Sequence, residues 1–191
     1  MKRSVGPRLM VLCPLMALAL LSGCGHTRPA QFYLLSPQDT ATQQTAEASG
    51  RDLTVGVGPV ELPAYLRRAQ IVTRLDDHRL DIAEYHRWAE PLEKNTVRVL
   101  AENLSALLGS DHVLMYPWSA ADRPQYQVTV EIIHLDRTTD GAALLLAAWA
   151  LKDAESKTLA RNRSRYEQPA GLGYPDFVAA QSLNLAALSR D

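Results

Sequence analysis

The chain has 191 residues, 47% of them apolar and 21% charged, with a formal net charge of −1. That composition supports a core of its own and excludes both a disordered chain and a multi-span membrane protein. Lys2, Arg3 and Arg8 fall in a leader that has no acids, so the 168 residues after Gly23 carry 17 basic against 21 acidic side chains, a net charge of −4. This is not the basic excess of a nucleic-acid binder, and no nucleic-acid partner is expected.

Residues 1–23 read as a secretory signal: three basic residues, then Leu9 to Leu21, apolar apart from Pro14 and too short to span a bilayer stably. The run ends in Leu21-Ser22-Gly23-Cys24, which resembles the lipobox of bacterial lipoproteins. The resemblance implies cleavage between Gly23 and Cys24, diacylglycerol on the Cys24 thiol and an N-acyl chain such as palmitate on the new amino terminus. Cys13 lacks this context, because Pro14 follows it. With the leader removed, Cys24 is the only cysteine, so an internal disulfide is excluded in an oxidising compartment. These covalent chains are the only added group expected; no cofactor and no metal is. Each buried methylene contributes about 0.8 kcal/mol, so two or more chains anchor durably where one is marginal. By the same resemblance, Gly25 in place of Asp directs the protein to the outer membrane, on its periplasmic face.

Residues 24–30 form a tether whose six residues after Cys24 reach at most about 20 Å. Residues 31–191 are expected as one periplasmic domain. Gln31 to Ser36 reads as a strand, and residues 37–52 as a flexible linker without apolar periodicity. Leu53 to Leu62 is β-branched and strand-like, and Gln70 to Leu75 with Leu80 to Tyr85 flank the polar turn Asp76 to Arg79, a hairpin signal. Pro91 opens a helix with Val97, Leu100, Leu104, Leu107 and Leu108 on one face, and Gly109 stops it. After a short strand at His112 to Tyr116, the alternation of Tyr126, Val128, Val130 and Ile132 predicts a half-exposed strand. Asp140-Gly141 turns into Ala142 to Leu151, expected as a central strand buried on both faces, followed by a strand from Lys157 to Tyr166. Tyr174 to Arg190 predicts an amphipathic helix. The sum is α+β, a mixed, largely antiparallel sheet with two main helices packed on one face.

No nucleophile-elbow, zinc-protease, dithiol or P-loop signature occurs, so no catalytic residue is assigned. The Gly-x-Gly of Val55 to Pro59 lacks a third glycine and a following helix, and reads as a backbone bulge. Asp76, Asp77 and His78 share one turn with His86 a strand away, which reads as a solvated tip. Trp88 is expected to pack at the helix start. Two groups are candidate partner contacts. Arg161, Arg163 and Arg165 alternate, so a strand places them on one face, where they serve either an acidic partner or lipid surface, or the protection of an exposed sheet by charge. Tyr65, Leu66 and Arg67 lie in a segment that reads equally as an exposed docking loop and as a capping turn.

Two blocks carry a family resemblance: "VGVGPVELPAYLRRAQIVTR" from Val55 to Arg74, and "YHRWAEPLEKNTVRVLAENLSALL" from Tyr85 to Leu108. With the lipobox, the "FYLLSP" opening and "LLAAWAL" around Trp149, they resemble the PqiC-type auxiliary lipoproteins of ABC-type and MCE-type intermembrane transport systems. The resemblance implies a non-enzymatic accessory subunit that is homo-oligomeric, partners a periplasmic MCE-domain protein, serves phospholipid transport and maintains envelope integrity. Two other readings stand beside it: an outer-membrane lipoprotein that scaffolds or activates a cell-wall synthesis enzyme, and a lipid hydrolase, which lacks any recognisable acid-base set.

Overall fold

The computed structural model describes residues 28–38, 53–119 and 121–191. The leader, Gly23, Cys24 and residues 39–52 of the expected linker lie outside the described residues.

Two sheets and two helices make the described body. Strands β1 (Gln31–Tyr33), β2 (Val55–Glu61), β3 (Gln70–Arg74) and β4 (Leu80–Trp88) precede helix α1 (Leu92–Leu108). Strands β5 (Val113–Met115), β6 (Tyr126–Arg137), β7 (Ala143–Asp153) and β8 (Thr158–Gln168) precede helix α2 (Tyr174–Leu188). The larger sheet runs β5-β2-β6-β7-β8, with β2 parallel to both neighbours and the β6-β7-β8 meander antiparallel. The smaller runs β1-β4-β3, with β1 parallel to β4 and β3 antiparallel to it. The class is the expected α+β, but the strands divide between two sheets where the periodicity suggested one. Alternation shows which residues face inward; it does not show which strand they join.

Local chemistry explains the boundaries. Pro91 precedes the first turn of α1, Glu93 sits at its positive end, and Gly109 closes it in the left-handed region at φ 59, its N–H donating to the Ser105 carbonyl. Gly58 stands at φ 111, where the β2–β6 register shifts between Val57 and Val60, so the Gly-x-Gly is a bulge. Trp88 is buried at the end of β4 beside the start of α1.

The core lies between the inner face of the large sheet and the helices, where Val57, Val60, Ile132, Leu135 and Leu145 meet Val99, Leu100, Phe177 and Leu185. Three expectations are corrected here. β7 is buried on both faces only at Ala143 to Leu145; from Ala148 onward it is half-exposed, and no described element covers the outer face at Ala148 and Ala150. α2 is not amphipathic: only a narrow stripe including Asp176, Ala179 and Leu183 is exposed, since the sheet covers one side and α1 with residues 34–38 the other. Pro37-Gln38, at the start of the expected linker, is docked, with the Gln38 N–H donating to Asn103 Oδ1 at 3.1 Å.

That docking belongs to a strap formed by residues 34–38. Asn95 of α1 accepts the Leu35 N–H at 2.7 Å and donates to the Leu35 carbonyl at 3.1 Å, completing both backbone groups as a neighbouring strand would. Ser182 of α2 accepts the Ser36 N–H at 3.1 Å. The strap thus ties both helices together, and it gives the buried amides of Asn95 and Asn103 their partners, while the Thr96 hydroxyl donates to the Leu92 carbonyl within α1.

Candidate functional site

The outer face of the large sheet, away from the helices, carries the polar residues that converge. One half is covered by the segment from Pro63 to Arg74. Asp136, only 1% exposed, lies under it on β6. The Tyr65 hydroxyl donates to its carboxylate, 3.2 Å from both oxygens. Arg74 Nη2 lies 3.1 Å and Nε 3.3 Å from Asp136 Oδ2, and His134 Nδ1 stands 3.1 Å from that oxygen. Gln181 of α2 donates to the backbone carbonyls of Asp136 and Leu144 from the opposite face of the sheet.

This constellation works as a clamp. Burial first, then the Asp136 carboxylate, drive the Tyr65 hydroxyl well above the usual tyrosine range, so it stays protonated and is no base or nucleophile near neutral pH. Asp136 spends its oxygens on three donors, and Arg74 cancels its charge. The bonds join β3 and the Tyr65 turn to β6, and so fasten the small sheet to the large one.

The uncovered half forms an open depression of about 640 Å³. Ala148 and Ala150 make its floor, with Glu61 paired beside Glu131 at one wall and Lys152, Arg161 and Arg163 at the other. From β2 to β8 this spans three strand spacings, about 14 Å. The result is a trough with an acidic and a basic bank.

The sequence-derived candidates fall into separate places. Arg161, Arg163 and Arg165 lie exposed on one face of the edge strand β8, as alternation requires, with Arg165 paired to Glu167. Of the two readings of the segment with Tyr65 and Leu66, the structure has the capping turn and not the exposed loop: Leu66 is 2% exposed in the core and Tyr65 is half-buried on the clamp, because the 3-10 turn at Ala64–Leu66 folds these side chains inward. Arg67 donates through Nε to the Leu62 carbonyl at 2.9 Å, bracing the same turn. Gly23 and Cys24 lie outside the described residues. At the hairpin tip, Asp76 accepts the N–H groups of His78 and Arg79 and pairs with Arg79 Nε at 2.6 Å, which holds its carboxyl below the usual range. His86 is elsewhere, stacked on Tyr174 at 4.0 Å between ring centres, with Tyr33 Oη 2.8 Å from its Nδ1. Among the described residues, none of the helices is long and apolar enough to cross a membrane. Asp136, Arg74 and His134 escaped the sequence reading. The one local signal was an acid at Asp136 in an apolar alternating strand, and its partner Arg74 lies 62 positions away.

A family model described as ABC-type transport auxiliary lipoprotein component matches residues 33–191. The intermembrane transport lipoprotein PqiC of Escherichia coli (strain K12) is 29% identical over 132 residues, covering 69% of this chain and 68% of that protein, and the protein of the same name from Shigella flexneri gives the same figures. A crystal structure of an uncharacterized protein has a TM-score of 0.69 at 20% identity, covering 85% of this chain and 95% of that one. A crystal structure of a Xanthomonas campestris protein has a TM-score of 0.65 at 13% identity, covering 84% and 90%. These structural likenesses show the fold alone.

Proposed function

Because the chain belongs to the family of ABC-type transport auxiliary lipoprotein components, we propose that it is a non-enzymatic accessory subunit of an MCE/ABC-type intermembrane phospholipid transport system that maintains envelope integrity, anchored to the outer membrane on its periplasmic face. One observation carries the reading: the family match begins at Tyr33, nine residues after the lipobox cysteine Cys24, so the matched body is whatever that tether would hold at the membrane. The curated relatives named for intermembrane transport support the transport assignment, and Gly25 after Cys24 supports the outer membrane. A lipid-held body offers its MCE-domain partner a high local concentration without additional contacts. The trough and the Arg161, Arg163 and Arg165 stripe are the docking face we assign to that partner, since they are charged, concave and on the side the helices leave open. A homo-oligomer is compatible with this arrangement and is part of the proposal.

Membrane fractionation with affinity capture tests it. Wild-type protein is expected in the outer-membrane fraction carrying diacylglycerol on Cys24, with an MCE-domain protein in the detergent extract. Cys24→Ala is expected to be soluble in the periplasm and to lose the transport phenotype. A Cys24→Ala protein that stays membrane-bound and active refutes the anchor, and recovery of a peptidoglycan synthase without an MCE protein replaces the transport reading with the scaffold one.

A further inference from the structure

We propose that the end of the molecule formed by the β3–β4 hairpin tip and the loop before α2 rests on the bilayer, inserting Leu75, Leu80, Ile82 and Leu172 among lipid headgroups. The inference rests on the anchor reading above and adds the orientation of the body on the membrane.

The first argument is the direction in which the chain leaves the body. β1 is parallel to β4, with Gln31 paired to His86. Followed toward its N-terminus from Gln31, the chain heads the same way as β4 does from His86 back to Leu80, toward the hairpin tip. That stretch of β4 is six residues, about 20 Å at strand rise. The tether from Gly25 to Ala30 is also six residues and also reaches at most about 20 Å. A lipid on Cys24 therefore extends no farther than about the level of the tip, so the tip meets the bilayer surface when the tether runs straight.

The second argument is what that end exposes. Leu75 is 53%, Leu80 36% and Ile82 45% exposed, although each is a large aliphatic residue on a short hairpin. Leu172 is fully exposed, and its loop is held there by design of the fold: Arg137 donates to the Leu172 carbonyl at 3.3 Å and to the Gly173 carbonyl at 2.8 Å. Leu80 pairs with Arg74, Arg74 bonds Asp136, and the adjacent Arg137 holds the Leu172 carbonyl, so this loop lies at the same end of the molecule as the hairpin. Scattered exposed aliphatic residues need no explanation, but four at the end toward which a lipid tether runs form an apolar contact surface. Asp76, Asp77 and Asp81 outnumber the one arginine of the tip, Arg79, which pairs with Asp76, so the surface suits a zwitterionic bilayer better than an anionic one.

Site-directed fluorescence on the lipidated full-length protein tests this. Lipidation occupies the Cys24 sulfur, so a single added cysteine takes an NBD label. Leu172→Cys, Leu80→Cys and, as a control on the exposed face of β8, Leu159→Cys are each reconstituted in phosphatidylcholine–phosphatidylethanolamine vesicles with doxyl-labelled lipid. Flotation reports anchoring separately from orientation. The expected result is a severalfold emission increase and doxyl quenching at 172 and 80, with a water-like signal at 159. Floating protein with water-like labels at 172 and 80 overturns the orientation while leaving the anchor intact, as does equal quenching at 159. Protein that fails to float removes the anchor reading beneath it. Concentration-dependent burial of the labels without vesicles assigns the surface to a second copy of the chain.

Discussion

Asp136 takes three donors from three parts of the chain, and removing it leaves Arg74 and the Tyr65 hydroxyl without their partner in a half-buried site. Breaking such a pair from one side costs about 3–5 kcal/mol, whereas replacing both charges by apolar groups of similar size is often close to neutral. Asp136→Ala is therefore expected to lower the unfolding free energy from urea titration by that amount, and Arg74→Met with Asp136→Leu to lower it less than Asp136→Ala alone; a double variant that is the weaker of the two contradicts the clamp. A second residue contributes to the alkaline limit beside Tyr65. Burial first, then the neighbouring Asp191 carboxylate, push the Tyr166 hydroxyl from 10.0 up to about 12. A folded state that prefers the protonated form gains stability that is complete below pH 10 and is lost as pH rises from 10 to 12. Urea midpoints measured across that window are expected to fall, and Tyr166→Phe to fall less steeply. Neither site was visible to local pattern reading, because Tyr65, Arg74 and Asp136 meet only through tertiary folding; the segment "LPAYLRR" showed a turn but not that Leu66 would face inward.

At the scale of elements, the strap explains what periodicity missed. The leucines of α1 announced one buried face, and that face is buried at Val97 and Leu100. Periodicity assigned no role to Asn95 and Asn103, and both are buried because a backbone segment lies across them. Asn95→Ala removes the partners of both Leu35 backbone groups, at a cost of about 1–3 kcal/mol for each buried group left unsatisfied. The expected outcome is faster amide exchange at Leu35 and Ser36 together with a lower melting temperature, while exchange in β7 keeps its rank; unchanged exchange at Leu35 would show that the strap does not depend on Asn95. The β6–β7–β8 meander was legible, since Val128, Val130 and Ile132 alternate and Asp140-Gly141 marks the turn. The apolar run of β7 was misread in its second half because alanine is compatible with core and surface alike, and Ala148 and Ala150 form the floor of an open trough.

For the whole molecule, one sheet face is committed to the core and the other is divided between the clamp and the trough. Exposed arginines contribute little to folding, so Arg161→Glu with Arg163→Glu is expected to shift the melting free energy by no more than about 0.5 kcal/mol per site while reducing capture of the proposed MCE-domain partner; full capture by the folded variant removes the trough from the proposed interface. The family and the α+β class were legible from the two sequence blocks and from element periodicity, whereas the division into two sheets depends on strand partners far apart in sequence.

The parallel pairing of β1 with β4 and the strap behind it also decide how the body bears load. A pull on the tether runs along the strand axis, so the β1–β4 hydrogen bonds and those to Asn95, Ser182 and Asn103 are strained together in shear, not peeled apart one at a time. Single-molecule stretching from the N-terminus is expected to give one high rupture force that Asn95→Ala lowers, because the whole set of bonds resists tension at once.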